Sequence, residues 1–558
     1  MGLVAEAARR DVGRVTALSV LGLASAAGAV GLPAALGHAL DLLLRGESAT
    51  RWVALCAAIV AAQAATAAAE DLLTGVTTAR ATAFVRRRTL RHMLAAGPRA
   101  AARHGEGDLV TRLVGNAADA AGTPAAAAAL PAALAAPVGG IVALGLTDLW
   151  LAAVFLAGAP LLTLLVHRFA RASADCVTGY QETQGRIATL LVEALGGART
   201  IAAAGTERRE TARVLGPLPE LGEHGRKMWQ VQGRATAQSM VLVPLLQIAV
   251  LAVGGVRLAQ GALSPGDLLA AGRYVLLATG IGVVVGQLGA LVRGRAAAAR
   301  VADVLAEPVP AYGKRKLPPQ GPGTLELRDV RACRGGETVL DGLNLTVPGG
   351  SCVAVVGRSG SGKSVLAALA GRLADPDGGT VLLDGCPLPD LAERELRDAV
   401  GYAFERPVLL GETIADAVAF GPRPLPAEHV TRAARAAEAD GFVTLLPAGY
   451  ATLREDAPFS GGEYQRLGLA RAFAHPGRLL VLDDATSSLD TVTELRVARA
   501  LFHDHPHRTR LLTTHRATTA ARADLVAWLE GGRLRALAPH TDLWPDPAYR
   551  TLFGASDA

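Results

Sequence analysis

Apolar residues fall in long blocks along the first 300 positions, and the blocks are free of charge. Six stretches contain no Asp, Glu, Lys or Arg: Val15–Leu40, Trp52–Ala69, Ala120–Thr147, Leu149–Val166, Ala235–Val256 and Tyr274–Val292. Each is long enough for a membrane-crossing helix, which takes about 17–25 residues. Beyond Asp303 no comparable stretch occurs. The blocks are rich in alanine, so they are softer than leucine-rich spans. The first follows Arg9, Arg10 and Arg14 like a secretory leader. It is too long for a leader's apolar core and more spans follow, so it reads as a retained first helix.

Charge then orients the spans. The segment between the second and third carries Arg80, Arg86, Arg87, Arg88, Arg91, Arg99, Arg103 and Arg112, whereas the segments after the first, third and fifth are short and hold few basic residues. The excess of arginine on one side predicts a cytoplasmic N-terminus and cytoplasmic long segments, in a multi-pass protein of the cytoplasmic (inner) membrane. The formal charge of +6 is therefore accounted for by arginines at a membrane surface, and no nucleic-acid partner is expected. Five cysteines lie far apart with no C-x-x-C pair, which predicts neither a disulfide framework nor a zinc site.

The long segments, Glu70–Asp119 and His167–Arg234, exceed ordinary connections. In the second, Ile187, Leu191 and Leu195 recur every fourth residue, a helical period. The membrane helices are therefore expected to run on into the cytoplasm before turning back, as legs able to carry motion. Glu307–Gly323, with five prolines and three basic residues, reads as a linker. After it, strand-like and helix-like segments form an α/β domain.

That domain holds the first clear chemistry. The run Cys352–Val356 reads as a strand and is followed by Gly357, Arg358, Ser359, Gly360, Ser361, Gly362, Lys363 and Ser364, which fit G-x-x-x-x-G-K-[ST]. In such a loop the glycines let backbone N–H groups approach phosphates, the lysine reaches the β/γ-phosphates and the hydroxyl reaches Mg²⁺. The chain has only four lysines and otherwise uses arginine, so a lysine here points to a need for its compact ammonium. Further on, Leu479–Asp490 reads LLVLDDATSSLD, an apolar strand ending in Asp483, a carboxylate placed to hold Mg²⁺. Between the two motifs Phe459–Arg466 reads FSGGEYQR and runs into a helix-like segment. A small residue and two glycines before a helix expose N–H groups to an anion.

Together these residues resemble the ATP-binding cassette family. The resemblance implies that Ser460, Gly461, Gly462 and Glu463 form the signature motif, Ser487–Asp490 the D-loop, and His515 the switch histidine. GEGDLVTRL from Gly105 and EALGGARTIAAAGTERRE from Glu193 look like the coupling regions of exporters, and the likeness continues to the closing hairpin around Gly531 and Gly532. It implies a half-transporter: an all-α six-helix transmembrane domain with long intracellular extensions (1–306), a linker (307–323) and an α/β P-loop ATPase domain (324–558). In this family ATP is held between one chain's P-loop and another's signature motif, so the working unit is a dimer that alternates between inward- and outward-facing states.

Four positions depart from the family pattern. Asp484 stands where glutamate polarises the attacking water; its side chain is one methylene shorter, and misplacement by about 1 Å can cost about 100-fold in rate. Glu405, in Tyr402–Pro407, replaces the Q-loop glutamine; it can still ligate Mg²⁺ but adds charge and donates no amide hydrogen bond. Arg334 aligns with the aromatic that stacks on adenine, and a guanidinium can also stack. Val365 replaces a threonine that follows the P-loop serine. Together they predict a site that holds ATP and cleaves it slowly, with a sound signature motif serving the partner's ATP. The expected partner is a second, non-identical half-transporter. Alternatives are a homodimer in which Asp484 works, a largely non-hydrolysing ATP-binding subunit, and a siderophore importer of the same architecture. Six uncharged runs argue against a soluble cassette ATPase. Membrane lipid surrounds the spans, and the cargo class stays open among small molecules, lipids and peptides.

Overall fold

The computed structural model describes residues 2–504 and 508–554, so Met1 and residues 505–507 and 555–558 of the expected domains lie outside it. The chain divides into two compact units, Met1–Leu94 with His104–Glu307, and Ala95–Arg103 with Pro308–Ala558.

The first unit is helical. Helices Val12–Leu44, Thr50–Ala96, Ala117–Thr147, Leu149–Gly196 and Leu218–Ala259 are 31 to 48 residues long. The last span is broken once, between Pro265–Ala278 and Ile281–Leu305. Six spans are apolar and long enough to cross a membrane, and at most 24% of any span's most apolar window is buried. Most of their apolar side chains, among them Leu161 and Leu245, therefore face outward, a surface that is stable against lipid and not against water. Several helices extend well past their charge-free stretch, as the periodicity around Ile187–Leu195 predicts. At one crossing Gly37 and Gly266 meet so closely that a Cβ on either would strike the other's carbonyl. Beside it Asp41 accepts bonds from Gly266 N (2.8 Å) and Ser264 Oγ (2.5 Å).

The second unit is α/β. A four-stranded antiparallel sheet has the order β2-β1-β4-β5, formed by β1 Leu325–Arg334, β2 Glu337–Val347, β4 Gly378–Leu383 and β5 Cys386–Pro387. A six-stranded sheet has the order β10-β9-β3-β8-β7-β6, formed by β3 Cys352–Val356, β6 Val400–Phe404, β7 Leu479–Asp483, β8 Thr509–Thr513, β9 Leu525–Glu530 and β10 Arg533–Ala538. All its neighbours are parallel except the β9–β10 hairpin. Buried on both faces, β3 and β7 are near-continuous apolar runs, and side chains alternate between two cores. Cys352, Ala354, Val356, Leu480, Leu482 and Leu512 join a core with the helices. Val353, Val355, Leu479, Val481 and Leu511 join one with the smaller sheet.

The end of the proline-rich segment is fastened by one carboxylate. Asp384, 3% exposed, accepts from the N–H groups of Gly323 and Thr324 (both 2.8 Å) and from Arg478 Nη1 (2.8 Å). Asp384→Ala leaves two amides and a guanidinium without this acceptor and is expected to destabilise the ATPase unit by about 3 kcal/mol. The check is a lowered thermal midpoint together with faster hydrogen exchange at the Gly323 and Thr324 amides.

Candidate functional site

Parallel strands deliver their C-terminal ends to one edge of the sheet, the place where open α/β sheets bind ligands. The register pairs Phe404 with Asp483, Asp483 with Thr513, and Val355 with Thr513. The residues following those ends are Gly357 after β3, Glu405 after β6, Asp484 after β7 and His515 just past β8. Motifs more than 150 residues apart in sequence thus converge through strand pairing alone.

The loop Gly357–Gly362 links β3 to the helix Lys363–Ala370. Gly360 and Gly362 have φ of +82° and +97°, and a Cβ on Gly362 would lie 2.7 Å from Leu340 Cδ2, so glycine is required there on both counts. Arg358, Ser359 and Gly360 are exposed, and beyond the Gly360 Cα there is open space. Lys363 is buried and its Nζ donates to the carbonyls of Gly357 (2.8 Å) and Arg358 (3.0 Å). Burial pulls its pKa below the usual lysine range, while Asp484 and Asp483 push it back up. Ser361 Oγ is buried without a hydrogen-bond partner. An orphaned hydroxyl and a lysine resting on its own loop's carbonyls fit a cradle for phosphate.

Asp483 is held by two hydroxyls: Ser364 Oγ (3.1 Å) and Thr513 Oγ1 (2.9 Å) both donate to Oδ1. Thr513 Oγ1 also accepts from the N–H of Asp484 at 2.8 Å. Among the described residues no three His, Cys, Asp or Glu side chains form a metal cage. Mg²⁺ held by Ser364 and Asp483, the two that the structure brings together, would therefore draw on phosphate oxygens as well.

Asp484 has φ +49°, a left-handed conformation that aspartate tolerates better than most side chains. Burial raises its pKa above the ordinary 3.8; His515 and Lys363 oppose that, and Glu405 and Asp483 add to it. His515 and Glu405 are both exposed.

The other anticipated positions make no hydrogen bond to this cluster among the described residues. Arg334 closes β1 opposite Glu337 across Gly335–Gly336, both with positive φ, and is exposed at this hairpin tip. Val365 packs against the core beneath the smaller sheet, which gives valine a packing role there. Ser460 caps the helix Gly461–Ala474 in a reciprocal box with Glu463. No hydrogen bond among the described residues joins Ser460–Glu463 to the P-loop, and a Cβ on Gly462 would lie 3.5 Å from Ser488 O.

Three further contributors receive no role from the sequence motifs, although Gln465 falls within the run FSGGEYQR. Thr513 is identifiable only from the β7–β8 register. Gln465, 2% exposed, reaches both Glu405 O and the Ser487–Ser488 turn. Arg516 is paired with buried Glu494 and donates to the carbonyls of Ser487 (3.1 Å) and Leu489 (3.3 Å), tying the His515 segment to that turn.

A phosphate-binding loop and a strand-end carboxylate on an α/β sheet, in a chain with six membrane-length helices, define a membrane-bound P-loop nucleotidase. Residues 15–280 match the family described as ABC transporter transmembrane region, and residues 340–487 match the ABC transporter family. The chain is 55% identical over 548 residues to the ABC transporter ATP-binding protein RamA of Streptomyces coelicolor, covering 98% of this chain and 86% of that protein. It is 32% identical over 420 residues to an ATP-dependent lipid A-core flippase of Chromohalobacter salexigens, covering 73% of this chain and 71% of that one. In fold it is similar to a bacterial Atm1-family ABC exporter solved with ATP bound, with a TM-score of 0.80, 24% identity and 99% of each chain covered. The chain belongs to the ATP-binding cassette transporters and is an exporter-type half-transporter, a multi-pass membrane ATPase that binds ATP and couples its hydrolysis to transport.

Proposed function

We propose that this chain is the catalytically slower half of a heterodimeric exporter of the cytoplasmic membrane. Its transmembrane domain comprises 1–306, its linker 307–323 and its ATPase domain 324–558, with the N-terminus and ATPase domain in the cytoplasm. Lys363 and the loop amides of Gly357–Gly362 hold the ATP phosphates, and Arg334 lies against the adenine. Ser364 and Asp483, with Glu405, would hold Mg²⁺, which when bound would supply positive charge to the phosphates. Asp484 accepts the proton of the attacking water and His515 steadies the terminal phosphate. Ser460–Glu463 serve the partner's ATP.

The observation that carries the slower half is Asp484. It is the shortest acid that can act as base, and burial together with Glu405 and Asp483 holds its pKa up, so less of it is ionised at a given pH than of an ordinary aspartate. A second reading, a competent homodimer, is favoured by the same residue's φ of +49°: the backbone there supplies a conformational reason for aspartate that is independent of rate.

ATP hydrolysis by the chain alone in lipid nanodiscs, with Lys363→Ala as blank, separates the two. Binding without turnover, followed by turnover once a second half-transporter is added, is the expected result. Turnover clearly above the blank establishes the homodimer.

A further inference from the structure

The start of the helix Gly461–Ala474 serves one ATP of the dimer, while Glu405 and Asp484 border the other. Inside a single chain these two responsibilities meet along one stripe of that helix. Gln465, Gly468 and Arg471, three residues apart, lie on the same face. Gln465 Nε2 donates to Glu405 O (3.2 Å) and Arg471 Nη1 donates to Val408 O (3.0 Å). Between them a Cβ on Gly468 would sit 2.5 Å from Pro407 Cβ. The segment leaving β6 is thus strapped to the signature helix at Glu405, Pro407 and Val408.

Gln465 does more than its two neighbours on the stripe. Its Nε2 also donates to Ser487 Oγ (3.2 Å), and its Oε1 accepts from Ser488 N (2.9 Å). The orientation of the amide is fixed by its surroundings: the Ser488 N–H can only donate and the Glu405 carbonyl can only accept. One buried side chain therefore joins three segments: the strand-end loop carrying Glu405, the signature helix and the turn after Asp484.

We propose that Gln465 is a positioning residue that couples the two ATP sites of the dimer, making the Glu405 loop, the signature helix and the Ser487–Asp490 turn move as one body. The inference rests on the dimer reading above, in which each ATP lies between one chain's P-loop and the other's signature motif. A buried, fully bonded polar hub is suited to this work, because partial displacement leaves a polar group unpaired in low dielectric and favours two discrete arrangements over a continuum.

The test is the steepness of ATP hydrolysis against ATP concentration for the assembled complex in nanodiscs, with changes made only in this chain. Gln465→Met keeps the volume and removes all three bonds. Gln465→Glu keeps an acceptor for Ser488 N and loses the donor to Glu405 O. For Gln465→Met the Hill coefficient is expected to fall toward 1, with turnover down about tenfold, as expected when a shared network is broken. ATP affinity stays within about twofold in single-site binding, since Gln465 touches no phosphate-binding residue. Gln465→Glu is expected to fall between, and Ser487→Ala combined with Gln465→Met to add little further. Wild-type steepness and turnover in Gln465→Met overturn the inference. So does a loss of ATP binding in step with the melting temperature in both variants, which is the mark of a purely structural residue. A wild-type complex that is itself non-cooperative also overturns the inference, whereas a chain that crosslinks to no second half-transporter in nanodiscs overturns the dimer reading on which it rests.

Discussion

Asp484→Glu is expected to raise ATP turnover at the site built on this chain's P-loop by about 10- to 100-fold, the range that a correction of about 1 Å in a reacting group commands. Everything around the carboxylate is already anchored. Asp483 is fixed by Ser364 and Thr513, and the Asp484 N–H is bonded to Thr513 Oγ1 at 2.8 Å. On the proposed reading the site is limited by the reach of this carboxylate, and one added methylene extends it. The φ of +49° sets a cost for glutamate of about 0.5–1 kcal/mol, because a longer side chain is less at ease in the left-handed region; a slightly lower melting temperature should accompany the gain. Single-turnover hydrolysis with the partner's site disabled is the measurement, and an unchanged rate would mean that the shorter carboxylate does not limit the site.

The raised pKa of Asp484 gives the same prediction a pH signature. In the folded protein the residue holds its proton to higher pH than in the unfolded chain. Its contribution to stability is thus greatest below the ordinary aspartate value of 3.8 and is lost as pH rises through the folded value. Activity runs the other way, since the base must be ionised. The acid limb of kcat/KM is expected to lie above that of an ordinary aspartate and to vanish in Asp484→Asn.

Lys363→Ala is expected to weaken ATP binding and reduce hydrolysis by at least about 100-fold, equivalent to about 2.7 kcal/mol or more of lost charge-assisted bonding. The ammonium is buried with two carbonyl acceptors from its own loop, at 2.8 and 3.0 Å. No neighbouring lysine can replace it: the other three are Lys227, Lys314 and Lys316, all outside the ATPase sheet. Removing it also removes one of the charges that counter the elevation of the Asp484 pKa, so residual activity should show an acid limb moved to still higher pH. Calorimetric titration with a non-hydrolysable ATP analogue, compared with Lys363→Arg, separates loss of charge from loss of the compact ammonium. Arginine is expected to restore little, because its guanidinium is a planar fork rather than a compact ammonium.

Features fixed by neighbours along the chain were readable without a structure. The P-loop is a contiguous motif whose glycine positions and lysine have local causes, and each has its predicted neighbourhood at the end of β3. Six apolar blocks give six helices because length and absence of charge are sufficient for a span. The run Ser460–Glu463 was likewise readable as a helix start, and the reciprocal capping box appears in the fold.

Strand pairing is non-local, and what depends on it was not readable. The order β10-β9-β3-β8-β7-β6 sets Thr513 on one side of Asp483 and Phe404, the residue before Glu405, on the other, and no periodicity in one strand names its neighbour. The φ of Asp484 and the core packing of Val365 likewise reflect surroundings, so those departures carry reasons that composition could not supply. Gln465 makes the division plain. In sequence it is one polar residue on a helix, and burial among the Glu405 loop and the Ser487–Ser488 turn gives it three partners that only the packed fold brings within hydrogen-bond reach.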